Sequence, residues 1–173
     1  MDDSLLEEIP YRLSHSPSHL LHRAQQLAAN QSAAALKAAG LTLRQFAVLS
    51  VLTEKDKRSQ SELVDQTGID RSTMADMVAR MEKSGLLERT SSKLDARAKL
   101  VQITAAGQKA HEAAVHAVSD ADDQLMNSLP KGQRKSFLAV LTTFAKANDL
   151  SDLKGKKSGK KGEKKKKKKK KTD

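Results

Sequence analysis

The chain is 173 residues long, with no cysteine, 2% aromatic residues and a formal net charge of +11. That length favours one domain with a modest core, the missing cysteine excludes disulfides, cysteine-ligated zinc and thiol redox sensing, and so few aromatics argue against nucleic-acid binding by base stacking. The charge belongs to one end: residues 154–173 hold 13 lysines against two acids, and the remaining body, with 19 basic and 19 acidic residues, is formally neutral.

Residues 1–20 lack the basic-then-apolar pattern of a signal peptide, and no apolar run reaches membrane-spanning length, so a cytoplasmic protein without membrane contact is expected. Residues 1–14 carry little pattern. Ser16 suits a helix cap and Pro17 a first helical position. Leu20, Leu21, Ala24, Leu27, Ala28, Ala35 and Leu36 then recur at helical spacing as far as Gly40. Thr42-x-x-Gln45 and Ser59-x-x-Glu62 are both capping-box patterns. The first opens a helix with Phe46, Val48, Leu49 and Leu52. The second opens a short helix with Leu63 and Val64 that stops at Gly68, and Asp70 caps another that closes near Gly85. Two helices joined by a short turn containing glycine form a helix-turn-helix pattern.

On the helix after Asp70, Met74, Met77, Val78 and Met81 share one face. The opposite face centres on Ser72, Asp76, Ala79 and Lys83, flanked by Thr73, Ala75 and Arg80. Arginine pairs with guanine or phosphate, serine and threonine reach bases or phosphates, aspartate accepts from cytosine, and an alanine methyl meets thymine. A merely solvated face would carry similar charge. The capped helix before it and the hairpin after it favour a helix that reads a major groove.

Leu86 to Thr90 and Lys99 to Thr104 read as two hairpin arms. Val101 and Ile103 alternate with Gln102, and the polar tip from Ser91 to Ala98 is long for a turn, which makes the hairpin a wing. Thr104 is placed to cap a long helix with a stripe of Ala110, Ala113, Ala114, Ala117, Ala121 and Leu125. Leu129-Pro130 breaks it, and a last helix carries Phe137, Leu138, Leu141, Phe144 and Ala145. The expected fold class is mainly α: a winged helix-turn-helix with a two-stranded β wing (42–103) and a helical dimerisation region (15–40 and 104–148), together one domain over 1–153. The apolar stripes of the outer helices call for self-association. Residues 154–173, with eight consecutive lysines, are expected to be a disordered tail. Such a tail is expected to raise non-specific DNA affinity through counterion release, to do no more than keep the chain in solution, or to make a partner or targeting contact.

The segments LTLRQFAVLSVL, TGIDRSTMADMVARMEKSGLLER and DARAKLVQITAAG resemble the MarR family of regulators, in element order as well as in motif. The resemblance implies a homodimer on a pseudo-palindromic operator in double-stranded DNA. It implies that the fourth helix enters the major groove and that the wing reaches the minor groove. By that resemblance Arg97 is the wing arginine, with Asp95 positioning it, and a narrow, electronegative minor groove attracts such a residue. A surface ion pair that stiffens the loop is the plainer reading of Asp95 and Arg97. The expected DNA contacts are Ser59, Gln60, Arg71, Ser72, Thr73, Asp76, Arg80, Lys93, Asp95, Arg97 and Lys99. Many relatives are basic where this chain has Asp76, which leaves its base preference open.

The variant TGIDRST-x-AD resembles members that control aromatic-acid degradation. That resemblance implies repression relieved by a small-molecule inducer, an aromatic carboxylate or its CoA thioester, bound between dimerisation helices and winged unit. His15, His19 and His22 are spaced like metal ligands, but a helix that starts at Pro17 leaves His15 off its face. His19 and His22, with Arg23, are candidates for an anionic ligand's pocket, against the alternatives of a metal or ordinary surface histidines. His111 and His116 do not share a face. No phosphate loop, nucleophile elbow, metal-binding helix or acid pair is present, so no enzyme, catalytic residue, metal or cofactor is expected. The rival reading is a winged-helix module that binds a protein, or binds DNA without specificity through its lysine tail.

Overall fold

The computed structural model describes residues 12–91 and 99–146. Helix α1 (Pro17–Leu36) starts where the cap predicts, with the Ser16 hydroxyl accepting from the His19 amide, and a 3-10 turn over Lys37–Ala39 ends at Gly40. Both capping boxes form. Thr42 and Gln45 exchange bonds at the start of α2 (Leu43–Glu54), and Ser59 and Glu62 do so at the start of α3 (Gln60–Thr67). Helix α3 stops because Gly68 adopts φ 68°, a left-handed conformation that glycine enters without steric cost. Asp70 then caps α4 (Arg71–Lys83).

Strands β2 (Leu87–Ser91) and β3 (Lys99–Ile103) form the expected hairpin. A third strand, β1 (Lys57–Ser59), joins it, and the antiparallel order is β1-β3-β2. The hairpin pattern alone did not reveal β1, because Lys57-Arg58-Ser59 is three residues long and has no apolar alternation. Its partner β3 defines it, pairing Arg58 with Val101. Helix α5 (Ala105–Asn127) is capped by Thr104, and α6 spans residues 131–146.

The core lies where α2, α3, α4 and the sheet meet, built from Leu36, Val48, Leu49, Leu52, Leu63, Met74, Val78, Met81, Leu87 and Val101, each 2% exposed or less. Each such side chain contributes about 1.5–3 kcal/mol of transfer free energy. Helix α1 packs along α5. The inward face of α5 runs Gly107, Ala114, Val118, Ala121. This corrects the alanine stripe in two places: Val118 is buried and Ala113, a step off that face, is exposed. On α6, Leu138, Val140, Leu141 and Phe144 are all exposed. Among the described residues no single helix is long and apolar enough to cross a membrane.

Candidate nucleic-acid interface

Helix α4 is held by its buried methionine face, with Met74, Met77, Val78 and Met81 at most 4% exposed. At about 100° per residue the opposite face then looks outward, and Arg71, Ser72, Asp76, Ala79 and Lys83 are exposed there. The two flanks differ. Thr73, Met77 and Arg80 turn toward α1 and the start of α2, where they line a cavity. Glu82 turns toward β2 and lies 3.4 Å from Arg89 Nε. Ala75, half-buried, is on that same flank.

The caps commit two of the expected contact hydroxyls. Asp70 Oδ1 accepts from the Thr73 amide at 2.9 Å and from Ser72 Oγ at 2.7 Å. Bonds from Thr73 and then Ser72 hold the Asp70 carboxyl well below the usual range. Ser72 has thus spent its proton, and its hydroxyl faces outward only as an acceptor. Ser59 is engaged in the same way: its Oγ donates to Glu62 Oε2 at 2.9 Å and its amide to the same oxygen at 2.7 Å. The Ser59 amide first, and its hydroxyl next, lower the Glu62 carboxyl below its ordinary value. Lys55 Nζ stands 3.8 Å from the other oxygen of Glu62. Gln60 is half-buried at the first residue of α3, and Lys99 is exposed at the start of β3. Lys93, Asp95 and Arg97 lie outside the described residues.

The cavity beside α4 has a volume of about 580 Å³. Gln25, Ala29 and Ala33 of α1, the segment from Leu41 to Gln45, and Thr73, Met77 and Arg80 of α4 line it. Its walls give an apolar slot (Ala29, Ala33, Leu41, Leu43, Met77) with guanidiniums from Arg44 and Arg80. A planar anion fits that chemistry, because a guanidinium pairs with a carboxylate through two parallel bonds. The histidine candidates lie elsewhere. His22 shares the helix face of Gln25 and Ala29 but sits a turn earlier, exposed. Arg23 is also exposed, and His19 is half-buried at the first turn. Sequence reading missed Arg44, which lies inside the segment LTLRQFAVLSVL without being singled out there, and which reaches the cavity only because α1, α2 and α4 converge. It also missed His111, whose role is its contact with α2. Among the described residues no three metal-ligating side chains come together.

The model of the MarR family matches residues 39–98. The transcriptional regulator HosA of Escherichia coli is 30% identical over 101 residues, which are 58% of this chain and 75% of HosA. Among solved structures, BpsR of Bordetella bronchiseptica, described with regulation of its DNA binding by 6-hydroxynicotinic acid, aligns at 26% identity and a TM-score of 0.75 over 79% of this chain and 97% of its own. The transcriptional repressor CouR, bound to a 23-mer DNA duplex, aligns at 30% identity and a TM-score of 0.71 over 77% of this chain and 94% of its own. CouR of Rhodococcus jostii RHA1 has also been solved with p-coumaroyl-CoA, and there aligns at 26% identity and a TM-score of 0.68 over 78% of this chain and 94% of its own.

Proposed function

The chain belongs to the MarR family of transcriptional regulators, and on that footing we propose that it is a cytoplasmic homodimeric repressor, held on a pseudo-palindromic operator and released by a small aromatic acid or its CoA thioester. The outward face of α4 enters the major groove, carrying Arg71, Ser72 and Asp76, and the wing brings Arg97 to the minor groove. Family membership supports the DNA-binding part of this reading. The inducer part is carried by one observation: the cavity of about 580 Å³ takes part of its wall from α4 itself. That volume suits a small-molecule site. An anion bound between Arg44 and Arg80 ties α4 to α1 and α2, and so shifts the reading helix from the position that DNA requires. That BpsR and CouR are described with 6-hydroxynicotinic acid and p-coumaroyl-CoA supports an aromatic acid or its thioester as the ligand class.

The homodimer is supported by unsatisfied apolar surface. Leu20, Leu21 and Leu27 of α1 and Leu138, Leu141 and Phe144 of α6 are exposed, and a groove of about 370 Å³ between α1, α5 and α6 is lined by Leu21, Leu27, Leu125, Leu129, Phe137 and Leu141. A continuous patch of that kind marks an interface.

The test is binding of the protein to the intergenic DNA beside its own gene and to random duplex, with Arg97→Ala in parallel and with 6-hydroxynicotinic acid or p-coumaroyl-CoA added. Competitor-resistant binding that Arg97→Ala weakens and that either compound releases is the expected result. Equal affinity for both duplexes sinks the operator reading and favours a DNA binder driven by its lysine tail.

A further inference from the structure

The chain has five methionines and no cysteine, and three of those methionines, Met74, Met77 and Met81, lie on the buried face of α4. Their burial is not equal. Met74 and Met81 are 0% exposed, whereas Met77 is 4% exposed. Helical geometry explains the difference. At about 100° per residue, Met74, Val78 and Met81 point together into the core, and Met77 is turned away from their centre toward Thr73 and Arg80, its neighbours one turn before and one turn after. Those three side chains are the wall that α4 gives to the cavity of about 580 Å³. Among the described residues Met77 is the one methionine lining it.

A thioether at the edge of a core, on a cavity roomy enough for small polar solutes, is open to chemistry from which the closed core shields Met74 and Met81. Methionine fills such a place as a flexible, apolar side chain, and oxidation turns it into a polar sulfoxide. We infer that Met77 is an oxidation site: a small oxidant of the peroxide class enters the cavity, converts the thioether to the sulfoxide and loosens α4. With hydrogen peroxide, the Met77 sulfur attacks one oxygen. An S–O bond forms and the O–O bond breaks. The second oxygen leaves as hydroxide, takes up the proton of the transferred oxygen and departs as water. Sulfur is oxidised and the peroxide reduced by the same electron pair.

The product does not fit the place of the reactant. Its oxygen is an acceptor, and burying it unpaired against apolar neighbours is costly. Donors stand in the same wall: Arg80, three residues on along α4, and Arg44, near the start of α2. A guanidinium offers five N–H groups. In turning to the sulfoxide, Arg80 turns into the cavity and away from the outward side of α4, where it is exposed. The consequence for DNA rests on the proposed function, in which α4 reads the operator and Arg80 is among its contacts. Oxidation then releases DNA without an inducer, and a sulfoxide reductase restores the thioether.

The experiment exposes the full-length protein to hydrogen peroxide, which spares the lysines of the tail. Tandem mass spectrometry maps each sulfoxide, and binding to operator and random duplex is measured before and after. Met77→Leu and Met74→Leu run in parallel, each compared with its own untreated form, because leucine conserves the volume and removes the sulfur. Met77 should be oxidised well before Met74 and Met81, whose reaction waits on opening of the core. Oxidised wild type and Met74→Leu should lose operator affinity by about tenfold or more, the effect of a polar atom forced into apolar packing. Methionine sulfoxide reductases A and B should restore it, and Met77→Leu should hold its affinity through the same exposure. Oxidation of Met74 or Met81 as fast as Met77 overturns the site. Unchanged operator affinity in protein whose Met77 is fully oxidised overturns the switch, and so does an equal loss in Met77→Leu. Should Met77→Leu fail to fold, the reductase decides: affinity still lost once Met77 is a thioether again counts against the switch. Failure of the untreated wild type to prefer operator DNA sinks the repressor reading instead, and the order of oxidation still decides the site.

Discussion

His111 of α5 stacks on Phe46 of α2, with ring centroids 5.0 Å apart and planes 15° from parallel. Its Nε2 lies 2.9 Å from Ser50 Oγ, and that hydroxyl donates to the Phe46 carbonyl at 2.9 Å. With the serine proton spent on Phe46, the histidine donates from Nε2. This contact joins the long helix α5 to the winged unit.

Burial lowers the His111 pKa, and neighbouring Glu112 offsets it only in part. The folded state thus prefers the neutral ring. As pH falls below the ordinary histidine value of about 6.5, the unfolded chain takes the proton first, and stability is lost progressively down through the lower folded value. The thermal midpoint should therefore drop on acidification from neutral, and His111→Gln should remove that part of the drop. Matching pH profiles for wild type and variant would mean that His111 contributes nothing to it.

Gly107, in the first turn of α5, is required by space. A Cβ built there overlaps the Leu86 carbonyl oxygen and comes within 3.0 Å of Ile103 Cγ1. Alanine is the better helix former by about 1 kcal/mol, so propensity alone predicts that Gly107→Ala stabilises. The backbone overlap should win, and the substitution should destabilise by roughly 1–3 kcal/mol. Urea unfolding checks this, and a more stable variant would show that the β2–α5 junction yields.

Substitutions at Arg44 and Arg80 should separate the proposed inducer response from DNA binding. Arg44 lines the cavity only from α2, whereas Arg80 lines it from α4. Arg44→Gln should leave operator affinity within about threefold, under 1 kcal/mol, and weaken release by 6-hydroxynicotinic acid at least tenfold. Arg80→Ala should damage both. Full release from the Arg44 variant would place the inducer elsewhere.

Removing residues 154–173 takes away 13 lysines. Binding to all DNA should weaken, and the salt dependence should flatten as fewer counterions are released. Preference for operator over random duplex should survive. A salt slope untouched by the truncation would limit the tail to solubility.

What the sequence disclosed was what is local. Ser16, Thr42, Ser59, Asp70 and Thr104 each cap a helix through a bond to the residue three places on, and an i to i+3 rule needs no knowledge of the fold. The methionine face of α4 was equally visible as a periodicity. Strand β1 was not, because its pairing partners stand some 40 residues away in the chain. The cavity was hidden for the same reason: Gln25, Arg44 and Arg80 belong to three helices. The histidines of α1 drew notice by their spacing, yet spacing along one helix says nothing of what the neighbouring helices cover.

Thr104 Oγ1 donates to the Gly85 carbonyl at 2.6 Å while accepting from the Gly107 amide, and the Thr104 amide reaches the Leu86 carbonyl at 3.2 Å. The near end of α5 is thereby riveted to the turn that ends α4. A rod of 23 residues is about 35 Å long. Pivoted at the rivet, it gains leverage: a tilt of about 5° at α4 swings the far end by about 3 Å, given that length. The same lever runs in reverse, so a shift of several ångströms at the far end reaches the end of α4 as a small rotation.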